Sequence, residues 1–188
     1  MNVKLYFYYG VMSSSKTANA LMKKFNFEEN GRTVALLKPS IDTRYGKTTV
    51  KSRAGLSSEA FLVGDNEKIE DVIGRDNSFE IIVADEAQFF TEAQIDELRK
   101  FTDQGTMVMC YGLRSDYTGH LFVGSRRLLE VADTIREIPS MCAKCGRKAV
   151  MNARYSGKNI IYEGNPIDIG GEDKYTTLCH QCWKSGKL

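Results

Sequence analysis

Three groups of residues have the types and spacing to do chemistry. The first is Gly10-Val11-Met12-Ser13-Ser14-Ser15-Lys16-Thr17. It follows the phosphate-loop pattern Gly-x4-Gly-Lys-Ser/Thr, except that Ser15 stands where the second glycine belongs. Backbone N–H groups at a helix N-terminus form an anion site. A lysine placed like Lys16 reaches the β- and γ-phosphates, and a hydroxyl placed like Thr17 binds Mg²⁺. A serine in place of the glycine costs about 1 kcal/mol if the position needs positive φ. The bland alternative is a Ser-rich turn before an ordinary helix.

The second group is Asp85-Glu86, which closes the apolar run Ile81-Ile82-Val83-Ala84. An acid at the carboxyl end of a strand, beside a phosphate loop, is placed to hold Mg²⁺; that is the expectation for Asp85. Glu86 is then free to accept the proton of an attacking hydroxyl. The alternative is a strand that ends in solvated charge. The third group is Cys142-Ala143-Lys144-Cys145 and Cys179-His180-Gln181-Cys182. Each Cys-x-x-Cys puts two thiolates on one tight turn, so Cys142, Cys145, Cys179 and Cys182 together suit tetrahedral zinc. His180 is a competing ligand. Four sulfur ligands leave no open position for water, so the expected metal is structural. A redox Cys-x-x-Cys would sit at a helix start beside a βαβ strand and would not need a second copy.

The elements that must hold these groups alternate between strand and helix. Strands are predicted at Lys4–Tyr9, Thr33–Lys38, Phe79–Ala84, Thr106–Tyr111 and Thr134–Ile138, the last as a core strand. Helices are predicted at Lys16–Phe27, with Ala18, Leu21, Met22 and Phe25 at helical spacing, at Asn66–Ile73, and at Leu121–Ala132. Thr91-Glu92-Ala93-Gln94 is a capping box that opens a further helix to about Thr102. Residues 40–60 are polar and predict a long loop or hairpin. The alternation implies an α/β fold with a parallel sheet. Near Pro139-Ser140 the character changes to cysteine pairs, glycines and short β-like pieces. Two domains are therefore expected: an α/β nucleotide-binding core over 1–139 and a small zinc-binding domain over 140–188.

Composition narrows the function classes. The chain has 188 residues, is 42% hydrophobic and carries a net charge of +2. That suits one globular core with an appendage, and it argues against a face for long nucleic acid. No run approaches the roughly 18 apolar residues of a membrane helix. The short run at the N-terminus lacks a signal-peptide pattern. Five cysteines, four of them paired in spacing, suit a metal site better than a disulfide framework. A soluble, cytoplasmic protein with no membrane partner is expected.

In this order the motifs resemble the zinc-containing type II thymidine kinases, and the resemblance spans essentially the whole chain. The pieces are Gly10–Thr17, Asp42-Thr43-Arg44-Tyr45, Asp85-Glu86-Ala87-Gln88-Phe89-Phe90, Tyr111-Gly112-Leu113-Arg114-Ser115-Asp116-Tyr117, and Ile169-Gly170-Gly171-Glu172-Asp173-Lys174-Tyr175 between the cysteine pairs. The resemblance implies transfer of the γ-phosphate of ATP to the 5′-hydroxyl of thymidine, and of deoxyuridine, in deoxynucleotide salvage. Glu86 is implied as catalytic base. Gly10 to Thr17, with Asp85 and Gln88, are implied around ATP, and Thr17 and Asp85 around Mg²⁺. Met12, Phe89, Leu113 and Tyr117 match walls of the thymine pocket, and Arg44 matches an arginine that approaches the phosphates. Pro166, Ile167, Asp168, Ile169, Gly170 and Tyr175 match a lasso over the base, whose two ends the zinc would anchor. A homotetramer and feedback inhibition by dTTP are also implied. Ser15 and Ala87 depart from the family's glycines. Two other readings compete. One is a zinc-ribbon module that binds nucleic acid through Arg44, Lys47, Lys51 and Arg53. The other is a homologue that binds nucleotide but is impaired in turnover, which Ser15 would explain.

Overall fold

A computed structural model gives the fold and describes residues 3–46, 48–75, 78–164 and 174–188. The first part runs β1 (Leu5–Tyr9), α1 (Lys16–Glu29), β2 (Val34–Pro39), β3 (Thr49–Lys51), β4 (Ser57–Glu59), β5 (Phe61–Val63), α2 (Ile69–Ile73), β6 (Ile81–Ala84), a 3-10 turn (Ala87–Phe89), α3 (Glu92–Asp103), β7 (Met107–Gly112), α4 (Val123–Val131) and β8 (Thr134–Glu137). Six of these strands form one sheet in the order β5-β2-β6-β7-β1-β8. Every pairing in it is parallel.

The central strands read as continuous apolar runs because both faces are covered. Along β6, Ile81 and Val83 face one cluster and Ile82 and Ala84 the other. The first face packs against Ala20 and Leu21 of α1. The second packs against Ile69 of α2, Ile95 and Leu98 of α3, and Leu128 of α4. Burying each large side chain stabilises the sheet by about 1.5–3 kcal/mol. The predicted capping box opens α3: Thr91 Oγ1 accepts from the Gln94 N–H at 3.3 Å, and the Thr91 N–H donates to Gln94 Oε1 at 3.1 Å.

Two local expectations are corrected. Thr134–Ile138 was expected in the core, but β8 is an edge strand, and Ile135 is 43% exposed. Among the described residues its strand partner is β1 alone, so its other edge lacks a neighbour. Helix α1 forms, yet Met22 and Phe25 point to solvent at 56% and 61% exposure. The hairpin expected after Pro39 forms as β3–β4, and β5, which was not foreseen, adds an edge strand to the main sheet. Three residues are too few for periodicity to reveal.

After β8 come β9 (Met151–Ser156), β10 (Asn159–Ile161), β11 (Tyr175–Leu178) and a short helix, α5 (His180–Lys184). Strands β10-β9-β11 form a separate antiparallel sheet. Its apolar cluster contains Ala153, Ile160 and Leu178 together with Cys142, Cys179 and Cys182. Among the described residues, no helix is long and apolar enough to cross a membrane.

Candidate active site

The loop between β1 and α1 lies at the carboxyl end of the sheet, where open parallel sheets bind ligands. Gly10 is required there by close approach: a Cβ would stand 2.4 Å from Ser14 Oγ and 2.6 Å from the Ile138 carbonyl oxygen. Ser13 and Ser15 both have left-handed backbone, with φ of 59° and 62°. Such alternation turns successive N–H groups toward one concavity, which is a nest for anions. The Ser15 position therefore does need positive φ, at a cost of roughly 1–2 kcal/mol for a non-glycine residue. Lys16 follows, nearly buried. Its Nζ donates to the Val11 carbonyl at 2.7 Å and to Ser14 Oγ at 3.4 Å. Burial draws the Lys16 pKa down to about 8, against the pull of Glu86 and Asp85. From the β3–β4 turn, Arg53 Nη1 donates to Ser13 Oγ at 2.8 Å.

Strand β6 ends beside this loop, and Asp85 is 3% exposed. Burial pushes its pKa up to about 7 and the Glu86 charge adds to the rise, while the Thr17 hydroxyl, which donates to Asp85, opposes it. Glu86 has left-handed backbone, φ 51° and ψ 37°. Strain of this kind at a non-glycine residue is a pointer to function. One Glu86 oxygen accepts from Arg44 Nη2. The other accepts from Gln88 Nε2 at 2.6 Å. Gln88 Oε1 in turn accepts from the Leu113 N–H at 2.9 Å. Arg44 is braced from behind: its Nε donates to Asp42 Oδ1 at 2.7 Å, and Asp42 Oδ2 is 3.6 Å from Nζ of the buried Lys38. Burial opposes both charges of this pair. The guanidinium still holds the Asp42 pKa below its ordinary value, and Glu86 and Asp42 raise that of Arg44.

Nest, acids and aromatic walls share one cavity of about 290 Å³. Met12 through Thr17, Asp85, Glu86 and Gln88 line it together with Arg44, Phe89, Leu113, Tyr117 and Tyr175. Gly10 and Val11, both buried, are not among the residues that line it. Gln88, expected beside ATP, engages Glu86 and Leu113 through its two amide ends. Phe89 meets Phe122 edge-on with ring centroids 5.6 Å apart, and Tyr117 meets Tyr175 at 6.1 Å. The Arg154 guanidinium lies over the Tyr117 ring at 5.4 Å. Pro166, Ile167, Asp168, Ile169 and Gly170 lie outside the described residues.

Phe122, Asp116 and Asn152 also line the cavity without having been foreseen. Asn152 sits on β9 of the second sheet, and its Oδ1 accepts from the Met12 N–H at 2.7 Å across 140 residues of sequence. No local pattern could have flagged it. Asp116 at least lies inside the Tyr111–Tyr117 motif.

The two cysteine knuckles converge. The sulfurs of Cys142, Cys145, Cys179 and Cys182 all lie within 4.8 Å of one another. Cys145 and Cys179 Sγ are 3.7 Å apart. Tetrahedral zinc with bonds of about 2.3 Å sets its sulfurs about 3.8 Å apart, so the donor set fits zinc. Cys179 is the N-cap of α5, and its Sγ accepts from the Cys182 N–H at 3.4 Å. Arg147 Nε donates to Cys145 Sγ at 3.3 Å and draws that thiol down to about 6. Outer hydrogen bonds of this kind orient metal ligands. His180 is not part of the cluster; its ring lies against Trp183 at 5.9 Å.

Similarity to known proteins extends along nearly the whole chain. A family model described as thymidine kinase matches residues 3–183. The thymidine kinase of Photorhabdus laumondii is 39% identical over 183 residues, covering 95% of this chain and 90% of that one. Those of Zymomonas mobilis and Rhizobium meliloti are each 40% identical, over 95% and 96% of this chain and 94% and 95% of theirs. By motif order, fold and similarity along nearly its full length, the chain belongs to the thymidine kinase family.

Proposed function

We propose that the chain transfers the γ-phosphate of ATP to the 5′-hydroxyl of thymidine, with Glu86 as the base. One observation carries this reading: Glu86, fixed at both carboxylate oxygens, opens onto the same cavity as the Ser13–Ser15 nest. Phosphoryl transfer asks a protein mainly for positioning and charge stabilisation. The nest, the α1 N-terminus and Lys16 bind the phosphates. Thr17 and Asp85 are the residues that would hold Mg²⁺, which when bound offsets phosphate charge. Glu86 orients the hydroxyl and accepts its proton. For Glu86 to act it must exchange Arg44 for the acceptor, leaving the guanidinium free to turn toward the phosphates.

Met12, Phe89, Leu113, Tyr117 and Tyr175, which line the shared cavity, are assigned to the wall around the base, and residues 166–170, outside the described residues, to a lasso that would exclude water. Deoxyuridine is accepted as well, since one methyl group discriminates by only about 1–3 kcal/mol. The core is assigned to residues 1–139 and the zinc-bearing lasso domain to 140–188. A homotetramer is proposed on the family resemblance, and Met22 and Phe25, exposed on α1, are available for contact between copies. Feedback inhibition by dTTP is proposed on the family resemblance. The cytoplasm, where both substrates are found, is the assigned compartment.

The test is formation of dTMP from ATP, Mg²⁺ and thymidine, with Glu86→Gln alongside. The variant is expected to lose roughly 10²- to 10⁴-fold. ATP binding without any dTMP would favour the impaired-homologue reading, for which the strained Ser15 is the motive.

A further inference from the structure

Asn152 joins three segments that sequence keeps far apart. It lies on β9, is 4% exposed, and faces the cavity. Its Oδ1 accepts from the Met12 N–H at 2.7 Å, and its Nδ2 donates to the Ser115 carbonyl at 3.1 Å. Met12 belongs to the phosphate loop that follows β1. Ser115 belongs to the loop that follows β7, which also carries Leu113 and Tyr117. Both polar ends of one short, buried amide are thus spent on backbone, one on each side of the site.

The geometry points to Asn152 as a positioning residue: it sets the spacing between the phosphate loop and the acceptor wall. This inference rests on the reading that the loop holds ATP and the wall holds the nucleoside. Three arguments support it. The Met12 amide is consumed by Asn152 and the Ser14 N–H by the Val11 carbonyl, so the first N–H left for phosphate is that of Ser13, where the left-handed turns start. Asn152 has two side-chain torsions and sits on a paired strand, so it is stiff. Strand β9 is held by β10 and β11, and the Val150 N–H donates to the Leu178 carbonyl next to Cys179. The cysteine-bearing sheet therefore serves as the frame from which the phosphate loop is adjusted. A displacement of about 1 Å between donor and acceptor costs on the order of 10²-fold in rate. The signature of such misalignment is transfer to water instead of to the nucleoside.

The experiment compares the wild-type protein with Asn152→Leu, which keeps volume and removes both hydrogen bonds, and with Asn152→Asp, which keeps the acceptor for Met12 only. Each is assayed for dTMP and ADP in the same reaction, for KM of both substrates, and for exchange of the Met12 amide proton. Asn152→Leu is expected to lose 10- to 100-fold in kcat with KM values within about threefold, to release severalfold more ADP per dTMP, and to exchange the Met12 amide at least tenfold faster. Asn152→Asp is expected to keep the slow Met12 exchange yet still show excess ADP. A loss of dTMP and ADP formation in the same proportion, matching the loss of folded protein, overturns the inference. So does a wild-type kcat in Asn152→Leu. If the wild type itself makes no dTMP, the proposed function fails; the amide exchange then still reports whether Asn152 holds Met12.

Discussion

Gln88 grips Glu86 with one end of its amide and the Leu113 N–H with the other, at 2.6 and 2.9 Å. The base is thereby tied to the wall against which the nucleoside would rest. Replacing Gln88 with Leu removes that tie but leaves the phosphate loop untouched. We expect kcat to fall about 10- to 100-fold, with ATP affinity unchanged by calorimetry. Had Gln88 acted on ATP directly, as the family resemblance implies, the affinity would fall together with kcat.

Ser15 stands at φ 62°. Glycine adopts that backbone without the roughly 1–2 kcal/mol penalty, but it gives back about 0.5–1 kcal/mol in unfolded-chain entropy. Ser15→Gly should leave the melting temperature unchanged or raise it by up to about 4 °C. Turnover should stay within about threefold, because the nest is already formed with serine. A gain of orders of magnitude in dTMP formation would show instead that the serine had silenced the site.

Much of this architecture was legible because its causes are local. The central strands β6 and β7 are apolar runs buried on both faces, and Thr91 and Gln94 announce their helix by side-chain chemistry alone. The phosphate loop could be placed since strand, turn and helix are consecutive. Other features depend on partners remote in sequence. Asn152 gains its place only when β9 folds against the phosphate loop. Ile135 reads as core by residue type, yet it is half-exposed because β8 has a neighbour on one side only. Glu86 could be picked out as a base, but its brace of Arg44, Asp42 and Lys38 needs a loop whose path no periodicity encodes.

The cysteine site makes a prediction about stability. The apolar cluster of the second sheet is small, and three of its buried members are cysteines. Metal binding must therefore supply much of that sheet's folding free energy. One zinc per chain is expected by atomic absorption. Cys145→Ser, or a strong chelator, should lower the melting temperature by many degrees and expose the β9 and β11 amides to exchange, while the main sheet stays protected. Equal protection of both sheets after complete metal loss would contradict this.

The buried pair at the phosphates predicts the pH dependence of ATP binding. The Asp85 pKa is raised to about 7, so without nucleotide the carboxyl is about half protonated at neutrality. Mg²⁺·ATP needs the carboxylate, so affinity should climb with pH up to about 7 and then level off. Lys16 is lowered to about 8, and phosphate needs the ammonium, so affinity should fall again above about 8. The linkage to folding has the opposite sense on each flank. Between 3.8 and about 7 the native protein binds a proton at Asp85 that the unfolded chain has lost, so stability without nucleotide falls as pH rises through that window. Between about 8 and 10.5 the unfolded chain keeps a proton that native Lys16 has lost, so stability rises. Calorimetry of Mg²⁺·ATP binding at pH 6, 7, 8 and 9, in buffers of different ionisation heat, measures the affinity and the protons exchanged. Asp85→Asn should abolish the acid-side slope and stabilise the nucleotide-free protein above pH 7. An affinity that does not vary from pH 6 to 9 would mean that neither buried charge changes state when the phosphates arrive.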